Sequence, residues 1–131
     1  MKLYTDKFED QKRNHKIYDE LDPLIETFIL NLNKCDNIVT LHSCEGTDNP
    51  LQKWDPNSKD THSITPYFGF NVNEETWTMV WLKVIPELMS EIDINIGTNG
   101  FQDGIFIHGG RVDKFKFWMT IFKTFNKYFI K

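Results

Sequence analysis

Two strand-like runs, Ile38 to Ser43 and Tyr67 to Val72, are separated by a polar interval, Thr47 to Thr65, roughly 20 residues long and without periodicity of its own. A compact domain seldom carries such an interval unless it serves a function. The two runs must therefore share a sheet across a long connection, and that connection is the first place to look for a site. It holds Lys53, Trp54, Lys59, Asp60 and His62, with no local apolar stripe to bury the tryptophan.

Alternation assigns faces to the strands. In the second run Phe68, Phe70 and Val72 share one side, and Tyr67, Gly69 and Asn71 share the other. In the first, Val39 and Leu41 are expected to point inward with the phenylalanines, leaving Thr40 and His42 on the opposite face. Ile92, Ile94 and Ile96 alternate with Asp93, Asn95 and Gly97. Turn material at Asn99-Gly100 then leads to Gly104 through His108, which reads as a hairpin with an enlarged loop.

The helices are announced by caps and by spacing. Thr5 or Asp6 can start a first segment, but Phe8, His15 and Tyr18 are too sparse for a strong stripe, so residues 1–20 read as a loosely held arm. Asp22-Pro23 suits an N-cap followed by the first helical position. Leu24, Ile25, Phe28, Ile29 and Leu32 follow at helical spacing. Asn73 caps a helix bearing Trp77, Val80, Trp81, Val84, Ile85 and Leu88, which Pro86 is expected to kink near its last turn. After Gly109-Gly110, a stripe of Val112, Phe115, Trp118, Met119, Phe122, Phe125 and Phe129 runs to the end. The order α-α-β-β-α-β-β-α implies an α+β fold with a mainly antiparallel four-stranded sheet and helices on one face.

At 131 residues, with 40% hydrophobic and 26% charged residues, the chain reads as a single domain spanning 1–131. A net charge of −4 disfavours non-specific attachment to nucleic acid. The charged N-terminus and the lack of a long apolar run argue against a targeting segment or a membrane partner, and a cytoplasmic protein is expected. Cys35 and Cys44 flank a strand that would hold them on the order of 25 to 30 Å apart, so both are expected as free thiols. The absence of alanine and the presence of two arginines, Arg13 and Arg111, suggest an AT-rich genome such as that of a low-GC bacterium or its phage.

The face opposite the helices would display Thr40, His42, Tyr67, Gly69, Asn71, Asp93, Asn95, Phe106 and His108, too polar a set for a second core. Roofed by the long connection, with Gly69 leaving room for close approach, it makes a natural ligand cleft. The expected binding residues are His42, Ser43, Cys44, Glu45, Gly46, Trp54, His62, Tyr67, Asn71, Asn95 and His108. Trp54 and Tyr67 could stack a base, while Asn71, Asn95 and His42 read its edge or sugar. Lys53, Lys59 or Arg111 could meet a phosphate. The histidines and Cys44 match no zinc spacing, so no metal or other cofactor is assigned. Cys44 with His42 two residues earlier could form a nucleophile and base, but no orienting acid is fixed by spacing, and no catalytic residue is assigned. Lys114, Lys116, Lys123, Lys127 and Lys131 on the last helix fit dipole complementation and covering of apolar surface better than a nucleic-acid stripe.

Val39 to Gly46, Pro66 to Val72 and Gly100 to Ile105 together resemble the wybutosine-synthesis Tyw3 family: a strand ending in Ser-Cys-x-Gly, a strand opening with Pro and an aromatic residue, and a later Gly-Phe…Gly-Ile segment. The resemblance spans about residues 38 to 107 in order. It implies a related architecture and, as an alternative activity, S-adenosylmethionine-dependent methyl transfer to a modified tRNA base. Thr47 stands where that family has a basic residue, and the chain is shorter than its members.

The leading expectation is a non-catalytic binding protein for a nucleotide-like small molecule, such as a phage-type sponge that sequesters an immune signalling nucleotide. The alternatives are a Tyw3-like methyltransferase and a protein-interaction or inhibitor module. Self-association into a homo-oligomer is compatible with each.

Overall fold

The computed structural model describes residues 7–15, 22–44, 46, 66–99, 103–110 and 112–130. Among these residues, five α-helices, α1 (Phe8–Arg13), α2 (Pro23–Asn33), α3 (Glu74–Met79), α4 (Ile85–Glu91) and α5 (Lys114–Phe129), accompany four strands. The strands are β1 (Ile38–Thr40), β2 (Tyr67–Val72), β3 (Ile94–Asn99) and β4 (Asp103–Gly109). They form one sheet in the order β1-β2-β4-β3, antiparallel at every pairing. The α+β class is the one the element order implies.

The three caps are built as their residue types require. Asp22 Oδ1 accepts from the Leu24 N–H at 2.8 Å, Asn73 Oδ1 from Thr76 at 3.0 Å, and Asp113 Oδ1 from Phe115 at 2.7 Å. The helices α2, α4 and α5, with the turn Val80–Val84 that joins α3 to α4, bury Phe28, Leu32, Val80, Val84, Leu88, Ile121 and Phe125 against Phe68, Phe70, Val72, Ile105 and Ile107 of the sheet. Phe125 is the hub of this core: its ring makes edge contacts with Phe68 at 5.1 Å and Phe70 at 5.0 Å between centroids, and stacks on Phe129 at 5.6 Å. Such pairs add stabilisation of about 0.5 to 1.5 kcal/mol each beyond burial.

Four expectations about these elements need correction. The stripe on α5 is rotated: Phe117, Ile121 and Thr124 are buried with Trp118, Phe125 and Phe129, whereas Phe115 and Met119 face outward. Apolar residues surround much of this helix, so spacing alone does not choose the buried face. The disturbance attributed to Pro86 falls one turn earlier. Val80–Val84 is a π-type turn joining α3 to α4, with the Ile85 N–H bonded to the Val80 carbonyl. Widening the turn there relieves the clash between a proline ring and the carbonyl four residues before it. The β3–β4 hairpin is tighter than expected, since Asn99 pairs with Asp103, and the register shifts between Gly97 and Asn99.

The fourth correction concerns β1. Ile38 pairs with Val72 and Thr40 with Phe70, so these two residues share the core face, while Val39 lies opposite Asn71 on the other face. The inward set is thus the reverse of the one read from Val39 and Leu41. Both faces of β1 are buried, with Ile38, Val39 and Thr40 all enclosed, so apolar alternation carries no contrast there.

The segment expected to be a loose arm is fastened where it is described. α1 packs on β1 and buries Phe8. The Lys12 ammonium donates to the carbonyls of Asn33 (2.7 Å), Cys35 (2.6 Å) and Ile38 (2.6 Å). Two of these lie at and just beyond the end of α2, where helix carbonyls lack partners, and the third is on the outer edge of β1. Asn33 completes that edge, its Oδ1 accepting from the Thr40 N–H at 2.9 Å and its Nδ2 donating to Thr40 Oγ1 at 2.8 Å. The unpaired side of the edge strand is therefore closed by two side chains.

Candidate functional site

The face of the sheet away from the main core is not an open polar surface. Val39 and Asn71 are fully buried, Phe106 is 3% exposed and Tyr67 is 8% exposed. Asn71, expected to read a ligand, is held within the protein: its Nδ2 donates to Gln11 Oε1 of α1 at 2.8 Å, and its Oδ1 accepts from the Val72 N–H at 2.9 Å. Gly69 does not make room for a ligand. A Cβ there would stand 2.7 Å from the His42 carbonyl oxygen and closer still to the Phe106 ring, so the space belongs to those groups.

What remains accessible lies at one end of this face. Cys44 forms an antiparallel bridge with Tyr67, Tyr67 pairs with His108 in β4, and His108 pairs with Asn95 in β3. Residues directly opposite one another across antiparallel strands point to the same side. Cys44, Tyr67, His108 and Asn95 therefore form a single row across the sheet, one residue from each of four adjacent chain segments. The row reaches Cys44 because the chain after β1 carries one extra residue relative to β2: Thr40 pairs with Phe70, yet Cys44 pairs with Tyr67. This bulge re-aims the side chains that follow it.

His42 emerges from the bulge and shares a hydrogen bond with the Tyr67 hydroxyl through Nδ1. Its ring stacks beside Tyr67, with centroids 5.6 Å apart and planes at 26°. On the other side of Tyr67 the His108 ring lies at 5.3 Å, tilted by 39°. Tyr67 is thus the nearly buried centre of three consecutive rings, flanked by half-buried imidazoles. Burial holds the His108 imidazole below its ordinary pKa, so it stands neutral at pH 7, with one ring nitrogen as donor and the other as acceptor. Cys44 is half-buried and Asn95 exposed, and both cysteines of the chain are free thiols.

Ser43 lies on the other side of the bulge. It is buried, its hydroxyl donating to the Leu41 carbonyl at 3.3 Å and accepting from the Gly69 N–H at 3.2 Å, so it holds the bulge in place. Gly46 has φ +91°, a conformation that favours glycine, and sits against Pro66, whose nitrogen would be 3.0 Å from an added Cβ. Pro66 is tied in turn to β4, its carbonyl accepting from the Gly109 N–H at 2.8 Å. The two ends between which residues 47–65 run are therefore in contact, immediately beside the ring row. Glu45, Trp54 and His62, with Lys53, Lys59 and Arg111, lie outside the described residues.

Sequence reasoning nominated His42, Cys44, Tyr67, Asn95 and His108, and the structure brings these five together. It missed Gln11, whose bond to Asn71 spans 60 residues and leaves no local signal. Among the described residues, no group of three or more His, Cys, Asp or Glu side chains is placed to hold a metal ion. No described helix is long and apolar enough to cross a membrane. No protein-family model matches the chain, and neither a curated protein nor a solved structure matches it.

Proposed function

We propose that the chain binds a planar, nucleotide-like small molecule against the row Cys44, Tyr67, His108 and Asn95. The observation that carries this reading is the row itself: a thiol, a phenol, a neutral imidazole and an amide, supplied by four chain segments at one level of the sheet. With neighbouring strands about 5 Å apart, the row is on the order of 15 Å long, enough for a base and its sugar. His108 and Asn95 each offer a donor and an acceptor to the edge of a heterocycle, and neither carries charge. Ring faces and a few convergent polar groups are the usual makings of a small-molecule site.

Sequestration fits this set of groups better than turnover, which is the basis for reading the chain as a nucleotide sponge. Mass spectrometry of molecules released from the heat-denatured purified protein tests it, followed by calorimetry with nucleosides, mononucleotides and cyclic dinucleotides. His108→Ala and Asn95→Ala should each weaken binding by about 1 to 2 kcal/mol, roughly five- to thirtyfold. If nothing is released and none of the panel binds, the reading is lost.

The hydrogen bond between Tyr67 and His42 favours one second reading. A phenol held by an imidazole can pass a proton, and Cys44 lies beside it in the row, so an enzyme of the kind implied by the Tyw3 resemblance would place its chemistry here. Recovery of the added ligand unchanged after prolonged incubation, with and without S-adenosylmethionine, distinguishes binder from enzyme.

A further inference from the structure

The helix α1 has six residues. An isolated helix shorter than about 12 residues does not hold its shape in water, so α1 stays wound only through what it touches. Among the described residues, Phe8 is buried, Lys12 donates to three carbonyls, and Gln11 Oε1 accepts from Asn71 Nδ2. Just past the helix end, the His15 ring meets the Thr40 hydroxyl, Nε2 lying 3.1 Å from Oγ1. Beneath these contacts Val39 and Asn71, on the face of the sheet that carries the ring row, are fully buried.

We propose that α1 is a releasable cover over this face, latched by the hydrogen bond between the His15 ring and the Thr40 hydroxyl and freed when acid protonates the ring. The latch depends on which group holds the proton. Thr40 Oγ1 accepts from Asn33 Nδ2 at 2.8 Å, and its own single proton then turns to His15 Nε2, which accepts as part of a neutral ring. An imidazolium has two donors and no acceptor. Protonation therefore aims two donors at one hydroxyl oxygen and leaves the hydroxyl proton without its acceptor.

The surroundings act in the same direction. Burial holds the His15 ring below its ordinary pKa, and the Lys12 ammonium on α1 lowers it further. Past the end of α2, Cys35 and Asp36 act on Lys12 and favour its charge, while β1 contributes the uncharged Thr40. Asp10 and Arg13 pair with each other at 3.4 Å on the exposed side of α1. With α1 released, the ring regains an ordinary value of about 6.5, so the released state binds the extra proton. Docking is therefore strongest above about pH 6.5 and weakens as pH falls through the window below it, by at most about tenfold per pH unit for one proton. Release bares Asn71, which shares its side of β2 with Tyr67 and lies roughly 13 Å along the strand from it, and so lengthens the accessible face beyond the row. The latch rests on the α1 contacts alone, whatever the row binds.

Amide hydrogen exchange on the full chain between about pH 7.5 and about pH 5, corrected for the intrinsic pH dependence of exchange, tests the proposal. The Gln11 and Asn14 N–H groups, bonded to the Lys7 and Asp10 carbonyls, report release because a freed α1 unwinds. Their protection should fall several-fold, up to about tenfold, per pH unit within the window, while Phe70 and Ile105, paired inside the sheet, stay far better protected. In His15→Gln, whose side-chain oxygen can accept from Thr40 but takes no proton, the fall should disappear. Followed by NMR in the parent chain, the His15 ring should titrate below free histidine. Four results overturn the proposal: α1 amides unprotected at pH 7.5, α1 amides that exchange only together with the sheet, a pH dependence that is absent or survives His15→Gln, and a ring that titrates like free histidine.

Discussion

Lys12 donates a 2.6 Å hydrogen bond to the Ile38 carbonyl, across 26 residues of chain, and so joins the first helix to the outer edge of the sheet. The same ammonium satisfies the carbonyls of Asn33 and Cys35, giving each of its three N–H groups an acceptor. Lys12→Met keeps the length of the side chain and removes all three bonds. Stability should fall by about 1 to 3 kcal/mol, read as a lower urea midpoint at unchanged slope. An unchanged midpoint would mean that water replaces the ammonium without cost.

Asn71→Ala and Asn95→Ala should separate scaffold from site. Removal of the Asn71 amide takes away the donor to Gln11 Oε1 and the side-chain acceptor of the buried Val72 N–H, and about 1 to 3 kcal/mol of stability should be lost. Asn95 is exposed, and its change should leave the melting temperature within a degree or two while weakening ligand. The opposite pattern in thermal denaturation would place the site around Asn71 after all.

Glycine substitutions probe the packing of the same face. Gly69→Ala drives a methyl group into the Phe106 ring and the His42 carbonyl and should cost about 1 to 3 kcal/mol, because one of the two obstacles is backbone. Gly97→Ala meets nothing within 4 Å and is the control, expected to unfold within about 0.5 kcal/mol of the parent. Equal effects of the two changes in chemical denaturation would contradict the packing described.

Stability should also depend on pH through two histidines. Burial lowers the pKa of His15 and of His108, and the nearby Lys12 charge lowers that of His15 further. The unfolded chain, with imidazoles near an ordinary value of about 6.5, then binds more protons than the folded one over the window just below that value. Folding stability therefore rises with pH through that window and levels off above it; below both folded values the penalty is complete and the curve is flat again. Urea titrations at about pH 5 and about pH 7.5 should show the higher midpoint at the higher pH, and a His15→Gln, His108→Gln double variant should narrow the gap. A midpoint that falls with rising pH over this range would reverse the assignment.

Much of this architecture is legible in the sequence where one face of an element is apolar and the other is not. β2 reads correctly because Phe68, Phe70 and Val72 alternate with Tyr67, Gly69 and Asn71, and α2 because Asp22-Pro23 marks its start and one stripe follows. The same reasoning inverts β1, since a strand enclosed on both sides has no polar face to mark its outside. It misplaces the stripe of α5, where Phe115 and Met119 are as apolar as the residues that are buried. Among the candidate site residues, Tyr67, Asn95 and His108 are legible because strand alternation puts them on one side, whereas Cys44 lies past the bulge, where alternation gives no guide. Asn71 was assigned to a ligand because its true partner, Gln11, comes from a helix that no sequence period ties to the sheet.

The contact between Gly46 and Pro66 has a consequence for how this protein can change over time. Because Gly46 and Pro66 are in contact, the sheet fixes the gap that any chain joining them must close, and for a flexible connection each doubling of length costs about 0.6 kcal/mol. The Gly46–Pro66 contact is in effect a fixed socket. Chains of different length between Gly46 and Pro66 can close on the same contact, which fixes where they leave and rejoin the sheet beside the five clustered side chains.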